Sequence, residues 1–196
     1  INKYKDNYNI KTFSFFKNGI KTLDCNDVDT IFHLSALVHQ MSGSSAKEYE
    51  KVNVTQTLEL AKKAKESGVK YFVFMSTVKA VADEVEGILN EEIIPNPKTH
   101  YGIAKHQAEE YILSTPLPEG KRVYILRPCM IHGPGNKGNL NLLYQLVSKG
   151  FPWPLGAFEN QRSFLSIENL CFVIKELLEN NSISSGVYQV ADDESL

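Results

Sequence analysis

Short apolar runs alternate along this chain with longer stretches in which apolar residues recur at helical spacing. The runs have the length of buried strands, and the strand candidates are residues 12–16, 30–34, 71–75, 123–126 and 187–190. The helix candidates are residues 46–67, 100–114, 139–149 and 167–180. Strands that alternate with helices in this way predict an α/β fold with a doubly wound parallel sheet.

Tyr101 and Lys105 lie four residues apart in a helix candidate, so their side chains share one face. The lysine ammonium favours a phenolate, and we expect it to bring the pKa of Tyr101 below its ordinary value of roughly 10. Ser76 and Thr77 follow the strand candidate 71–75, at the edge where open α/β sheets place their chemistry. The four residues predict an acid/base site for hydride transfer between alcohols and ketones, although Ser76 and Thr77 also suit a simple turn.

Composition and charge narrow the class of protein. With 196 residues, of which 42% are hydrophobic, the chain is large enough for one domain with a real core, and its net charge of −2 suggests no nucleic-acid footprint. We expect no membrane span, because no apolar run reaches the roughly eighteen residues that one requires. The widely spaced Cys25, Cys129 and Cys171 favour free thiols in the cytoplasm over disulfides or a metal site.

Several ordered motifs carry a resemblance to a known family. They occupy residues 29–36, 53–55, 68–77, 101–105, 126–128, 132–135 and 162–169. On these motifs the chain resembles the extended short-chain dehydrogenase/reductases, in particular NAD-dependent nucleotide-sugar epimerases of the UDP-glucose 4-epimerase type. The resemblance implies a Rossmann-like sheet, NAD as the cofactor, a UDP-sugar as the substrate, and a homodimer formed by helices 46–67 and 100–114.

The resemblance also implies roles for individual residues. Tyr101 would deprotonate the sugar 4-hydroxyl, Thr77 would hydrogen-bond or relay that proton with Ser76 beside it, and Lys105 would also hold the nicotinamide ribose. The cofactor contacts it implies are Leu34, Ser35, Ala36, Asn53, Tyr101, Lys105 and the backbone amide of Cys129. The substrate contacts it implies are Thr77, Met130, Asn139 and Arg162, of which Arg162 would clamp the diphosphate. From the residues alone, Asn53 equally suits a local backbone brace and Arg162 a surface position.

The start of the chain departs from the family. Such enzymes open with a strand, a G-x-x-G-x-x-G turn and a helix that binds pyrophosphate, and we expect this unit to be missing ahead of Ile1. The stretch 133–138 fits G-x-G-x-x-G, but the acidic residue that should follow about twenty positions later is absent. We therefore assign residues 1–130 to an incomplete NAD-binding domain and 131–196 to part of the nucleotide-sugar-binding region, with one strand returning to the sheet.

Three functions remain open at this point. The first is epimerisation at C4 of a UDP-sugar through a transient 4-keto intermediate. Val78 and Lys79 follow Thr77 where dehydratases of the superfamily carry Asp-Glu, so we expect no dehydratase activity. A 4-ketoreductase of a deoxy-sugar for surface polysaccharides is the alternative, and a non-catalytic dinucleotide-binding protein is the third. Met130 stands where epimerases often carry a polar sugar contact, so the identity of the sugar stays open.

Overall fold

A computed structural model describes residues 7–15, 17–38, 45–135, 139–150 and 161–193, without the side chains of residues 139–143. Its main sheet has four strands, all parallel, in the order β1-β2-β3-β6. They are β1 (Thr30–His33), β2 (Tyr71–Met75), β3 (Arg122–Pro128) and β6 (Gly186–Val190). Two further short strands, β4 (Met130–His132) and β5 (Phe164–Ser166), form a separate parallel pair.

The helices connect these strands and cover both faces of the sheet. They are α1 (Ala46–Tyr49), α2 (Gln56–Glu66), α3 (His100–Ser114), α4 (Asn139–Ser148) and α5 (Ile167–Glu179). A π-helical segment, Glu50–Thr55, joins α1 to α2, so the predicted single helix 46–67 is interrupted rather than continuous. The α/β fold with a parallel, Rossmann-like sheet is confirmed.

Alternation along the strands divides the core between the two faces of the sheet. Phe72 and Phe74 of β2 point to one face and pack with Leu60 of α2 and Ile112 of α3. Val73, between them, points to the other face, where its cluster includes Tyr124, Leu126, Leu170 and Leu177. Because each such side chain contributes roughly 1.5–3 kcal/mol on burial, the two clusters hold the sheet between its helices.

Two strand predictions differ from the structure. The stretch 12–15 contains no strand, and residue 16 lies outside the described residues. Phe13 and Phe15 instead pack edge to face with ring centroids 5.5 Å apart, and Phe15 contacts His33, so these two apolar residues are partly buried from a loop. Strands β4 and β5 were not predicted, because three residues are too few for a periodic signal. No helix in the described part of the chain has the length and apolarity to cross a bilayer.

Candidate active site

The parallel strands bring the predicted site residues to a single edge of the sheet. Leu34 follows β1, Ser76 and Thr77 follow β2, and Cys129 follows β3. The register pairs Met75 of β2 with Leu126 of β3, and the Ser76 amide donates to the Leu126 carbonyl at 2.7 Å. Carboxyl ends of neighbouring parallel strands form the crevice in which open α/β sheets bind ligands.

Lys105 reaches this edge from α3 and is buried there. It is 2% exposed, its Nζ donates to the Met75 carbonyl at 2.7 Å, and it lies 4.4 Å from the centroid of the Phe74 ring. Burial lowers the pKa of Lys105 to about 8, although the nearby Glu109 carboxylate acts to raise it. At neutral pH Lys105 therefore carries its positive charge directly beneath the end of β2.

Tyr101 lies in the first turn of α3 and is partly buried. Its ring packs edge to face with that of Tyr49, with centroids 6.5 Å apart. Burial, and then the neighbouring Tyr49, raise the pKa of Tyr101 above its ordinary value. The expected lowering by Lys105 is wrong for this structure, because the ammonium binds the Met75 carbonyl and desolvation dominates at the phenol. Tyr101 is accordingly protonated at neutral pH.

A buried ion pair that the sequence reasoning missed lies behind Ser76. Arg127 of β3 binds the Glu109 carboxylate through Nη2 at 2.6 Å and Nε at 3.1 Å, and the two side chains are 8% and 1% exposed. The Ser76 hydroxyl donates to the same carboxylate. One sequence signal was available, since Glu109 is four residues from Lys105 on the same helical face. Ser76 is thus engaged in the interior, whereas the hydroxyl oxygen of the partly buried Thr77 accepts from the Lys79 amide at 3.3 Å.

Asn53 braces the loop that follows β1. This fully buried residue of the π-helical segment donates through Nδ2 to the Leu37 carbonyl at 2.9 Å and accepts from the Leu37 amide at 2.6 Å. Thr57 donates to the Asn53 carbonyl, so His33 must donate its Nε2 proton to the Thr57 hydroxyl, at 2.8 Å. His33 is a packed core histidine, and burial, with Lys105, lowers its pKa to about 3.

The loop that Asn53 holds carries the three residues implied to contact the cofactor. Leu34 is 60% exposed at the sheet edge, while Ser35 and Ala36 are partly buried. The two backbone hydrogen bonds at Leu37 fix the path of the chain just after them. An apolar side chain left in solvent beside a fixed backbone is suited to cover a flat ligand.

The remaining residues that the resemblance implies as cofactor or substrate contacts come after β3 in the chain. The Cys129 amide donates to the Val190 carbonyl at 3.1 Å, and the implied contact of this amide with a nicotinamide stays a prediction. Met130 is 37% exposed at the start of β4. The β4–β5 register pairs Met130 with Phe164, and the exposed Arg162 is two residues before Phe164, so Arg162 lies at the Met130 end of this pair. The side chain of Asn139 lies outside the described residues.

The assembled edge suits proton transfer at a bound alcohol. It carries a hydroxyl at Thr77 and a buried cation at Lys105, and the phenol of Tyr101 belongs to the helical turn that precedes Lys105 on α3. Within the described residues no group of three or more His, Cys, Asp or Glu side chains is arranged to hold a metal ion.

Comparison with known proteins points to one family. The profile described as "NAD dependent epimerase/dehydratase family" matches residues 16–191. The chain is 34% identical over 179 residues to a UDP-glucose 4-epimerase of Vibrio cholerae, covering 87% of this chain and 54% of the relative. It is 31% identical over 170 residues to an N-acetyl-alpha-D-glucosaminyl-diphospho-ditrans,octacis-undecaprenol 4-epimerase of Escherichia coli O157:H7, covering 86% and 51%.

The fold is shared with a solved structure. UDP-glucuronic acid 4-epimerase from Bacillus cereus, determined in complex with NAD, superimposes with a TM-score of 0.75 at 22% identity, over 92% of this chain and 60% of that one. The chain spans about half the length of the curated relatives it matches.

Proposed function

Because the chain belongs to the NAD dependent epimerase/dehydratase family, we propose that the protein interconverts the C4 epimers of a UDP-sugar through a transient 4-keto sugar, with NAD as cofactor. One observation supports the proposal: Lys105 is anchored on the last carbonyl of β2, the strand that Thr77 follows, and Tyr101 precedes Lys105 by one turn of α3. A buried ammonium, a phenol and a hydroxyl at one sheet edge are the groups needed to move a proton at an alcohol.

In this mechanism Tyr101 removes the proton of the sugar 4-hydroxyl and later returns it. Thr77 donates a hydrogen bond to the same oxygen and holds it beside the phenol. NAD, when bound, supplies the acceptor and donor of the hydride exchanged with C4. Because the Tyr101 pKa is raised in the protein alone, with Lys105 already in place, this phenol needs positive charge beyond that of Lys105 near it before it acts as a base.

The residues at the edge fit a dinucleotide. Leu34 exposes apolar surface next to a loop backbone that Asn53 holds in place, and this surface would cover the cofactor ring system. Lys105 would hold the nicotinamide ribose with the two Nζ protons that Met75 does not take. Arg162, exposed and always charged, would bind the substrate diphosphate. Met130, exposed at the same end, would meet the sugar.

A 4-ketoreductase of a nucleotide deoxy-sugar is the second candidate. Its support is the exposed, apolar Met130 at the sugar position, since a 6-deoxy sugar presents a methyl group where a hexose presents a hydroxyl. The two reactions differ in how they use the cofactor. An epimerase retains its NAD through each cycle, whereas a reductase exchanges NAD(P)H at every turnover.

The test compares Tyr101→Phe with a matched control on the same helix, Tyr111→Phe, whose ring is 38% exposed. We expect Tyr101→Phe to lower turnover of UDP-sugars by about 10²–10⁴-fold, because the general acid/base is lost, and Tyr111→Phe to stay within about 2-fold of the parent. Equal turnover in all three proteins would exclude the catalytic role of Tyr101.

A second measurement separates the two reactions. The purified protein is denatured and the released NAD(H) is quantified against the protein. Near-stoichiometric dinucleotide with turnover that needs no added NADH supports the epimerase. No released dinucleotide, with consumption of NADH on a 4-keto nucleotide sugar, supports the ketoreductase instead.

A further inference from the structure

The first turn of α3 carries Tyr101 and begins at a hydrogen-bonded cap. Thr99 is the N-cap residue, and its hydroxyl oxygen accepts the Gly102 amide at 3.2 Å. The Ile103 amide donates to the Thr99 carbonyl at 2.9 Å. Because Tyr101 sits between the cap and these two amides, the position of Thr99 sets where the phenol lies.

Asp83, from the loop after β2, holds Thr99. Its Oδ2 accepts the amides of Lys98 and Thr99 at 2.8 and 3.1 Å, and its Oδ1 accepts the Thr99 hydroxyl at 3.1 Å. The Thr99 hydroxyl thus donates to Asp83 while it accepts from Gly102. Partial burial acts to raise the pKa of Asp83, but the hydrogen bonds from Lys98 and Thr99, together with the charge of Lys79, lower it overall, so the carboxylate is ionised at neutral pH.

Two further contacts join the same segments. The Asn96 amide donates to the Val81 carbonyl at 2.7 Å. Gly102 packs so closely on the loop that an added Cβ would clash with the Lys79 carbonyl oxygen. The segment 77–83, which begins with Thr77, therefore meets the residues just before α3 and the first turn of α3 at three separate points.

We propose that Asp83 is a positioning residue, which clamps the N-cap of α3 and thereby holds Tyr101 in register with Thr77. Asp83 does not touch the reacting atoms in this proposal; it acts through Thr99. The kinetic consequence rests on the proposed function, whereas the clamp itself does not. Displacement of a catalytic group by about 1 Å lowers rates by up to about 10²-fold. Asp83 therefore affects turnover if its loss shifts Tyr101 by that amount.

The experiment uses Asp83→Ala, with Glu86→Ala as the matched control because Glu86 is an exposed carboxylate of the same loop. Hydrogen exchange of the Lys98, Thr99, Gly102 and Ile103 amides is measured first. We expect these amides to exchange at least about 10-fold faster in Asp83→Ala and at an unchanged rate in Glu86→Ala. The reason is that Asp83→Ala removes the charge-assisted hydrogen bonds of the Lys98 and Thr99 amides and loosens the cap. Equal exchange in the two variants would overturn the proposal.

Kinetics on a UDP-sugar give the second readout. We expect Asp83→Ala to lower kcat about 10-fold or more with KM within about 3-fold, since Asp83 positions Tyr101 and does not bind the sugar. An unchanged kcat beside faster exchange would show that the clamp is structural only and would overturn the positioning role. If the parent protein turns over no nucleotide sugar, the proposed function fails, while the exchange result still decides whether the clamp exists.

A second pair of variants covers the case in which Asp83→Ala does not fold. Thr99→Val removes the hydroxyl between Asp83 and Gly102 but leaves both backbone amides on Asp83, and Thr99→Ser retains the hydroxyl. We expect faster exchange at Gly102 and lower kcat in Thr99→Val, with Thr99→Ser close to the parent. The same behaviour in both Thr99 variants would count against the clamp.

Discussion

Three charged residues are buried together behind the site, and each depends on the others. Lys105, Glu109 and Arg127 are 2%, 1% and 6% exposed. Arg127 pairs with the Glu109 carboxylate, and that carboxylate in turn offsets part of the desolvation of Lys105. A buried charge without a partner costs several kcal/mol, so the arrangement keeps Lys105 charged at the sheet edge without leaving an unpaired ion in the core.

At the residue scale, we expect substitution of Glu109 to have a large effect on the stability of the protein. We expect Glu109→Gln to destabilise the protein by about 3–5 kcal/mol, because it leaves the Arg127 guanidinium buried and uncompensated. Its neighbour Glu110, whose side chain is 66% exposed, is the control, and Glu110→Gln should change stability by less than about 0.5 kcal/mol. Urea unfolding followed by circular dichroism measures both, and equal midpoints for the two variants would contradict the assignment.

At the scale of elements, α3 is the part of the fold on which the site depends. It carries Tyr101, Lys105 and Glu109 on one helix, and its first turn is pressed against the short 3₁₀ turn Val78–Ala80 that follows Thr77. Gly102 permits this approach. Helix and loop therefore meet without the gap that any larger side chain would impose.

For Gly102→Ala we predict a change in stability opposite in sign to the one that helix propensity alone would give. In a free helix Ala is favoured over Gly by about 1 kcal/mol, but here we expect Gly102→Ala to destabilise the protein by about 1–3 kcal/mol, because the methyl group meets the Lys79 carbonyl. Gly68→Ala is the control, since a Cβ there meets nothing within 4 Å. Thermal unfolding of both variants tests this; a higher Tm for Gly102→Ala than for the parent would refute the close contact.

At the scale of the whole molecule, α3 also presents apolar side chains to solvent. Ile103, Tyr111 and Leu113 are 36%, 38% and 54% exposed. An association of two copies through this helix and the segment 46–66 would cover them, in keeping with the homodimer that the sequence resemblance implies.

We expect the protein to sediment as a dimer and Leu113→Glu to shift it toward monomer, because a charge within an apolar contact would be left without solvent. Phe172→Glu is the control, since Phe172 is 60% exposed on α5, away from α3. Sedimentation velocity over a range of protein concentrations distinguishes the cases. A monomeric parent protein at all concentrations would rule this interface out.

Much of the fold follows from local pattern. The strand 71–75 and the helix 100–114 have the predicted bounds, because a continuous apolar run and a long capped helix are strong local signals. The strand prediction for 12–15 failed because alternating phenylalanines suit either a strand or a loop packed on the core. Only tertiary contacts, such as that of Phe15 with His33, decide between the two. The π-helical segment around Asn53 could not be predicted from local pattern either, since Asn53 forms its hydrogen bonds with Leu37, sixteen residues away.

The sequence by itself determined which chemical groups come together, because parallel strands end at a common edge and a four-residue spacing puts Tyr101 and Lys105 on one helical face. The tertiary structure alone decided the protonation states of those groups. Burial raises the pKa of Tyr101 and lowers that of Lys105, and Arg127 and Asp83 act on the site from segments whose approach no local pattern reports. Desolvation and long-range hydrogen bonds depend on what surrounds an atom in three dimensions, and this is set only once the chain has folded.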